Sequence, residues 1–560
     1  MEDSAIEEGF EQLKPSTEYD ALYEAALCRE RADWLVGINA TRLFSTLYGQ
    51  TLNVGRVMTP TLAMAVMREA AISAFKAEPF YTVELMLQDF KVSSERIKQK
   101  EQADELCRNC VGSVLTVTKA ENKEKSEKPP ALYDLTSLQR NANRVLGFTA
   151  QQTLDYTQSL YEKKLVTYPR TDSRYLTSDM ENMLPELVQS VFHTFPVDKV
   201  ENIPVYPSQV INNKKVTDHH AIIPTKEVLK YNLDELPKGE LAVLKLIATR
   251  LFCAVGEPFR YSESVVELSD GNHVFSAKGK ITIQLGWKIF SVKSDNKDKD
   301  DIKQLPSLMV GEGLSVHSAE VKEGKTSPPK HFTEDTLLQS METAGADEMP
   351  EDAERKGLGT PATRAAIIEK LVRIGFLERK GEKKTKYLIP THKGTALVTV
   401  MPEQIQSPSM TADWEQKLSM IEHGEYGSHA FLKEIQDMIS SLVQTYETVK
   451  GADALKAKET HTIGACPVCG NPVGERQKGF FCSDRQCGFA LWKNNRYFES
   501  IGKSMTAAVV QKLLSDGKVK LKGCKSARTG KTYDAIVQME ISPDGKVSFR
   551  MEFENGGKRK

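Results

Sequence analysis

Apolar residues recur at helical spacing through the first part of the chain and alternate with polar residues further along it. Residues 17–71 have apolar positions three and four apart, which predicts helices, and Gly49 and Gly55 bracket a break between them. Residues 80–90 and 113–119 alternate as strands do, with a charged helix between them. The pattern therefore predicts a mixture of helices and sheet.

Two helices are predicted over residues 133–165. The first stops at Gly147, a residue typical of a helix C-terminal cap. Thr149 followed by Gln152 has the spacing of a capping box, which predicts the start of a second helix running to Lys163–Lys164. The segment VTYPRTDSRYL follows directly, so it begins where a helix ends.

Alternation returns between residues 256 and 320, where RYSESVVELS and HVFSAKGKITIQLGWKIFSV predict strands before the polar loop SDNKDKDD. Thr360–Pro361 then opens a helix, and the charged hairpin ERKGEKKTKYLI follows it. A helix followed by such a hairpin is the pattern of a winged-helix module. GADALKAKET is a candidate linker to a Cys-rich unit and a last strand-rich segment.

The length of the chain indicates a multi-domain protein, because 560 residues are too many for one hydrophobic core. The mean hydropathy is −0.40. No apolar run approaches the roughly 20 residues of a membrane helix. The N-terminus MEDSAIEEGFEQLK also lacks the apolar core of a signal peptide. We therefore expect a cytoplasmic protein without a membrane partner.

The net charge of −1 hides an asymmetry along the chain. Residues 451–560 carry 20 Lys and Arg against 11 Asp and Glu, whereas the other 450 residues carry 55 against 65. A basic tail on an acidic body indicates that the tail meets a polyanion. A solvated lysine-rich surface is the alternative interpretation.

Tyr168 is a candidate nucleophile. It precedes a proline, which favours an extended backbone, and it follows a helix end, so its phenol is expected at a loop edge. Arg170, two residues on, would lie on the same side, where a guanidinium can hold a phosphate and favour a phenolate. Tyrosine is a covalent nucleophile suited to a phosphodiester. The alternative is a core tyrosine near a turn.

Two further sets of residues could support such chemistry. His219 and His220 in TDHHAIIPT could donate a hydrogen bond to a phosphate or carry a proton, or they could be a surface pair. Arg29 and Arg56 could contact a polyanion, and Gly55 would allow close approach of a backbone there. Solvated helix arginines are the alternative.

Four cysteines form a C-x₂-C-x₁₂-C-x₄-C array: Cys466, Cys469, Cys482 and Cys487. Four thiolates at this spacing suit tetrahedral Zn²⁺, and the metal would supply folding energy to a small unit. Aromatic and basic residues interleave nearby, where rings could stack on single-stranded DNA or simply pack the small core. These residues are Phe480, Phe481, Trp492, Tyr497 and Phe498, with Lys478, Arg485, Lys493 and Arg496. For Phe480 and Phe481 we favour packing.

Seven ordered segments together resemble type IA DNA topoisomerases of the bacterial topoisomerase III branch, from about residue 20 to the C-terminus. They are RERADWLVG, NVGRVMTPTLAM, LYDLTSLQR, LVTYPRTDSRYL, DHHAIIPT, SPPKHFTEDTLL and GLGTPATRAAIIEKL. The resemblance implies an isomerase that cuts single-stranded or underwound DNA through a 5′-phosphotyrosyl link at Tyr168, passes a strand and religates. It implies that Arg170 positions the scissile phosphate and that His219 assists. DNA contacts are implied for Arg29, Arg56, Gln139, Gln158, Arg174 and His220.

The fold implied by the resemblance is multi-domain α+β: a gate of helical and winged-helix-like domains with β-rich arches, and a C-terminal zinc ribbon. We expect a first helical segment at 1–79 (with a remnant next to a Toprim domain at 1–16), arch segments at 80–130 and 256–325, the tyrosine-bearing helical domain at 131–255, a helical, winged-helix-like domain at 326–450, the zinc ribbon at 460–498 and a C-terminal repeat module at 499–560.

The chain departs from the family pattern at its N-terminus. Family members begin with a Toprim domain that carries a catalytic glutamate and an Asp-x-Asp pair for Mg²⁺, and these 560 residues start after it. Asp298 and Asp300 lie in a polar loop and are expected to be unrelated. We expect a monomer that cleaves DNA poorly alone. A truncated gene, an internal start and a separately encoded Toprim portion are the three alternatives for the N-terminus. The alternatives are a non-catalytic single-strand-binding remnant and, less favoured by motif order, a tyrosine recombinase.

Overall fold

A computed structural model gives the fold for most of the chain. It describes residue 7 and residues 9–198, 200–216, 218–291, 305–345, 357–381, 385–449, 462–476, 478–484, 486–526, 529–542 and 546–552. The loop SDNKDKDD, with Asp298 and Asp300, the linker GADALKAKET and Arg485 lie outside these residues. The chain divides into two compact units, one reaching to Leu455 and one from Lys456 onward, with Tyr48–Gln50 grouped with the second.

The larger unit begins with two long helices and a sheet. In chain order they are α1 (Asp20–Leu47), α2 (Met58–Ala74), β1 (Pro79–Met86), β2 (Lys91–Ser94), α3 (Lys100–Cys110) and β3 (Val114–Glu127). Strand β1 alternates buried and partly exposed residues, as its sequence predicts, and α3 packs on the sheet through Ala103 and Leu106.

Four helices then form the part of the unit that contains Tyr168. They are α4, α5, α6 and α7, with bounds Leu135–Leu146, Ala150–Glu162, Leu184–Thr194 and Lys238–Val255. The predicted cap at Gly147 is confirmed, since its φ of 74° is left-handed and its N–H bonds to Asn143. The capping box of Thr149 and Gln152 is also confirmed.

The chain then returns to the sheet and completes it. Strands β4, β5, β6 and β7 span Phe259–Ser269, Val274–Gln284, Gly313–Ser315 and Ser318–Lys325. The sheet has seven strands in the order β6-β3-β4-β5-β2-β1-β7, all antiparallel. The predicted continuation of the second strand through GWKIF is wrong, because Gly286–Ile289 is a 3₁₀ turn in which Gly286 has a φ of 49°.

Helices and one hairpin make up the rest of the larger unit. In chain order these elements are α8 (Glu334–Thr343), α9 (Pro361–Arg373), β8 (Leu377–Lys380), β9 (Tyr387–Pro390), α10 (His392–Val400), α11 (Glu403–Gln406), α12 (Pro408–Glu422) and α13 (Ser428–Thr445). The helix opening at Thr360–Pro361 is confirmed, and β8 and β9 pair as the predicted hairpin. Helices α12 and α13 pack on α1 around Trp414 and Phe431.

The smaller unit contains two sheets that share one core. Strands β10 to β13 form a four-stranded sheet, and after helices α14 and α15 strands β14 to β16 form a three-stranded one. In chain order these elements are β10 (Thr462–Ala465), β11 (Pro472–Glu475), β12 (Gly479–Cys482), β13 (Ala490–Trp492), α14 (Arg496–Ser500), α15 (Ala507–Asp516), β14 (Lys518–Lys525), β15 (Thr532–Ile541) and β16 (Val547–Glu552). Phe480 of the first sheet and Val537 of the second belong to the same buried cluster. Among the described residues, no helix combines the length and apolar character that a membrane crossing requires.

Candidate active site

Tyr168 lies just beyond a tight reversal of the backbone at the end of α5. Lys164 has a φ of 62° and is the only non-glycine residue with a positive φ among those described. The hydroxyl of Thr225 donates to the Lys164 carbonyl, and the Leu165 N–H bonds back to Leu160 at 2.9 Å. Left-handed backbone at a side-chain-bearing residue is held by its surroundings and is common at functional sites. The reversal directs the chain away from the helix into the extended segment that contains Tyr168.

Hydrogen bonds join this extended segment to the DHHAIIPT segment, some fifty residues later in the chain. The Thr167 N–H donates to the Ile223 carbonyl at 3.0 Å, and the Thr167 hydroxyl donates to the Ala221 carbonyl at 3.0 Å. The buried Thr171 hydroxyl donates to the His219 carbonyl at 2.7 Å. The two motifs therefore form one local structure, which fixes His219 relative to Tyr168.

Two rings flank the half-buried Tyr168 side chain. The His219 ring centroid lies 4.2 Å from that of Tyr168, with 39° between the planes. On another side, the Tyr161 ring meets it edge-on at 5.4 Å. Sequence reasoning missed Tyr161, although its position near the end of a helix that leads directly to Tyr168 was a usable signal. Arg170 is exposed and makes no ion pair or side-chain hydrogen bond with the described part of the chain.

We predict that Thr171→Val loosens the junction between the two motifs. Valine keeps the shape of threonine but leaves the His219 carbonyl and the buried Ser173 N–H without the hydroxyl that both now use. Losing such a bond costs about 1–3 kcal/mol. Amide hydrogen exchange in residues 165–176 should accelerate by about tenfold or more. Thr171→Ser, which keeps the hydroxyl, is the control; equal exchange in the valine and serine variants would contradict the role given to this bond.

The other residues predicted to contact DNA in this part of the chain have varied surroundings. Arg174 is paired through Nε with Asp134 at 2.6 Å, and its Nη2 lies 3.4 Å from Glu342. Although burial opposes the charge, Asp134 and Glu342 raise the pKa of Arg174. Gln139 is fully buried and donates to the Ala150 carbonyl. Gln158 donates to Glu162 on the exposed surface of α5, and Nδ1 of His220 lies 2.9 Å from the Ala221 carbonyl.

Arg29 and Arg56 lie together at a second place in the larger unit. Arg56 is buried, and its guanidinium is bound by Asp33 at 2.6 and 3.1 Å and by Glu415 at 2.9 Å. The other oxygen of Glu415 accepts from Arg29 at 2.6 Å. Burial opposes the charge of Arg56, but its bonds to these carboxylates prevail and raise its pKa.

An open cavity of about 400 Å³ is bordered by the side chains of Arg29, Asp33, Arg56 and Glu415. The start of α9, at Thr360 and Thr363, lies on its wall, as do Lys370 and Thr411. The buried Thr411 hydroxyl has no hydrogen-bond partner in the part of the chain that the structure describes. A helix N-terminus with cations nearby favours anions, so the cavity has the chemistry to receive a phosphate-bearing ligand.

The four cysteines of the C-terminal array converge. Their sulfur atoms all lie within 4.8 Å of one another, with Cys466 and Cys487 at 3.5 Å and Cys469 and Cys482 at 3.4 Å. A tetrahedral zinc with sulfurs at about 2.3 Å requires sulfur separations of roughly 3.8 Å, so the group can hold a metal ion of this kind. A hydrogen bond from the Asn471 backbone N–H, followed by bonds from the neighbouring thiols, lowers the pKa of Cys469 to about 7.

The aromatic residues near the cysteines divide into two groups. Phe480 and Phe498 are fully buried, which confirms the packing role expected of Phe480. Trp492 is 48% exposed and meets the partly buried Phe481 edge-on at 5.2 Å. Lys493 pairs with Glu475 at 2.7 Å. Trp492 is therefore the most exposed ring of this group, since Phe481 and Tyr497 are partly buried.

Comparison with known proteins gives one consistent result. A family model described as DNA topoisomerase matches residues 17–433. The chain is 39% identical over 519 residues to DNA topoisomerase 3 of Bacillus subtilis and 38% identical over 511 residues to that of Bacillus licheniformis, covering 87% of this chain and 69% of each relative. A structure of full-length topoisomerase I from Thermotoga maritima shares the fold, with a TM-score of 0.58 at 22% identity over 83% of this chain and 75% of that one.

Proposed function

The chain belongs to the type IA DNA topoisomerases, in the topoisomerase III-like group, and on that premise we propose that Tyr168 is the nucleophile that opens a single DNA strand. The observation that supports this most is the local geometry. The Tyr168 ring lies at a loop edge against His219, in two segments joined by hydrogen bonds, and Arg170, two residues further along the chain, is exposed. A core tyrosine near a turn would be buried, whereas Tyr168 is only partly buried.

In the proposed step the Tyr168 oxygen attacks phosphorus, and the bond from phosphorus to the 3′ oxygen breaks. The phenol proton is released and the departing 3′ oxygen takes up a proton, so the charges balance. Arg170 would bind the non-bridging oxygens and stabilise the charge that develops there. His219 would donate a hydrogen bond to the phosphate or carry a proton. Attack by the free 3′ hydroxyl on the phosphotyrosine reverses the step and reseals the strand.

We propose that a Toprim domain, acting in cis or in trans, supplies the acid that protonates the 3′ oxygen and the carboxylates that bind Mg²⁺. The acid would speed release of the 3′ oxygen, and the metal would help to hold the DNA for resealing. General acid catalysis typically contributes about 10²–10⁴-fold. Adduct formation by these 560 residues is then slower by that factor without added Toprim domain.

We propose that the contact between the tyrosine-bearing helices and helices α8 and α9 opens as a gate for the passing strand. Much of this contact is polar: Arg140 pairs with Asp335 at 2.8 Å, and Glu334 accepts from the Ala150 N–H at 2.5 Å. Arg174 reaches Glu342 across it. Polar groups can be rehydrated when such surfaces separate, whereas apolar surface would be exposed at a cost.

The smaller unit is proposed to hold Zn²⁺ through its four cysteines and to contact single-stranded DNA. The convergent sulfur atoms support the metal, and the exposed Trp492 supports the contact, because bases stack on accessible rings. Zinc here would be structural: with four protein ligands it would have no open position for a substrate.

The polarity of the covalent adduct tests the proposed reaction. A single-stranded oligonucleotide labelled at its 3′ end should transfer label to the protein, whereas the same oligonucleotide labelled at its 5′ end should not. The assay is run with Mg²⁺, with and without a Toprim domain from a relative. Transfer from the 5′-labelled strand would indicate a recombinase-like 3′ adduct. Tight binding without transfer in any condition would indicate a non-catalytic binding protein.

A further inference from the structure

Glu415 connects two arginines that are far from it in sequence. It lies on α12, its side chain is only 8% exposed, and its two oxygens accept separately from Arg29 at 2.6 Å and from Arg56 at 2.9 Å. The Trp414 ring lies 5.3 Å from the Arg56 guanidinium carbon. A buried carboxylate shared by two arginines restrains the direction of both, because both pairs are charge-assisted and largely shielded from water.

The two arginines differ in what they can offer to a ligand. Arg56 uses Nε, Nη1 and Nη2 on the carboxylates of Asp33 and Glu415, and its side chain is only 6% exposed. The Arg29 side chain is 21% exposed and also borders the cavity at the start of α9. Arg29 is therefore the better placed of the two to meet a phosphate, while Arg56 is engaged in holding the cluster together.

We propose that Glu415 is a positioning residue for DNA binding: anchored by Arg56, it directs the Arg29 guanidinium toward a phosphate of a single strand lying in the cavity. This inference rests on the proposed opening of a single DNA strand by Tyr168, which requires the larger unit to bind that strand. It assigns DNA contact to Arg29 and a supporting role to Arg56, although both arginines resemble family residues expected to touch DNA.

The two possible roles of Glu415, as a negative charge and as a positioning residue, predict opposite changes in DNA affinity for Glu415→Gln. Removing a negative charge beside a polyanion site should tighten binding if only the net charge matters. If Glu415 positions Arg29, the same variant should bind fluorescein-labelled oligodeoxythymidylate about tenfold more weakly, through loss of a charge-assisted contact. The slope of log affinity against log salt should fall by about 0.7, as expected when one phosphate contact on a single strand is lost.

The matched control is Asp413→Asn, which removes the same charge from the same helix at a side chain that is 54% exposed. It should leave affinity unchanged or slightly tighter. Arg29→Ala should weaken binding as Glu415→Gln does, and the double variant should bind no more weakly than Arg29→Ala alone. Glu415→Asp keeps the charge but is too short to reach both arginines, so it serves the same purpose if circular dichroism shows that Glu415→Gln is unfolded.

The experiment distinguishes a failure of the proposed DNA binding from a failure of the positioning role of Glu415. If the wild-type chain does not bind the oligonucleotide, the proposed DNA binding itself fails. If the wild type binds, unchanged or tighter binding by the Glu415 variants overturns the positioning role, as does unchanged binding by Arg29→Ala. Weakening in the Glu415 variants with an unchanged salt slope would also overturn it, because it would indicate a general structural defect.

Discussion

Replacing Tyr168 by phenylalanine should abolish covalent attachment to single-stranded DNA while leaving non-covalent binding nearly unchanged. The variant loses only the hydroxyl that attacks phosphorus, and it keeps the ring that contacts His219 and Tyr161. Removal of a catalytic nucleophile lowers turnover by at least about 10⁴-fold. The measurement is the amount of label that stays with the protein after denaturation, together with relaxation of a supercoiled plasmid, in the presence of Mg²⁺ and added Toprim domain.

Tyr161→Phe provides the matched control. It removes a hydroxyl from the ring next to Tyr168, near the end of α5, and preserves the edge-on contact at 5.4 Å. Its adduct yield should stay close to that of the wild type. The reverse result, loss of adduct in Tyr161→Phe and retention in Tyr168→Phe, would move the nucleophile to the other ring.

The second large effect is expected from removing metal from the smaller unit. Its buried core contains Cys466 and Cys482, so a metal ion held by the four thiols would tie parts of that core together. Structural zinc contributes about 10–16 kcal/mol in small domains. A strong chelator, or Cys482→Ser, should therefore unfold residues 462–552 while the larger unit stays folded. Limited proteolysis and zinc released per chain are the measurements, with one zinc expected.

Cys524→Ala is the control for this experiment. Cys524 is fully buried in the same core but is not one of the four converging cysteines. Its replacement should retain one zinc and resistance to protease. A Cys482→Ser protein that resists protease as the wild type does, with or without chelator, would show that the smaller unit folds without the metal.

Local features of the sequence predicted local structure well. A helix cap depends on a few adjacent residues, so the capping box at Thr149 and Gln152 and the left-handed glycine at Gly147 could be identified directly. The four-cysteine array is similar, because its spacing alone limits where the sulfur atoms can lie. The prediction that the strand continues through GWKIF was wrong, because apolar and polar residues still alternate in sequence where the backbone turns at Gly286.

Contacts between distant segments could not be predicted in this way. Arg29 and Glu415 are separated by 386 positions, and no periodicity relates them. The order of the seven strands likewise joins segments on either side of the tyrosine-bearing helices. Tyr161 was missed because its importance depends on the reversal at Lys164, which brings its ring to that of Tyr168.

The proposed reaction depends most on which residue becomes linked to DNA. The direct measurement is to trap the adduct on a 3′-labelled oligonucleotide with added Toprim domain and Mg²⁺, digest the protein and sequence the nucleotide-bearing peptide by mass spectrometry. We predict that the modified residue is Tyr168, joined to a 5′ phosphate. Modification of any other residue, or a 3′ linkage, would contradict the account.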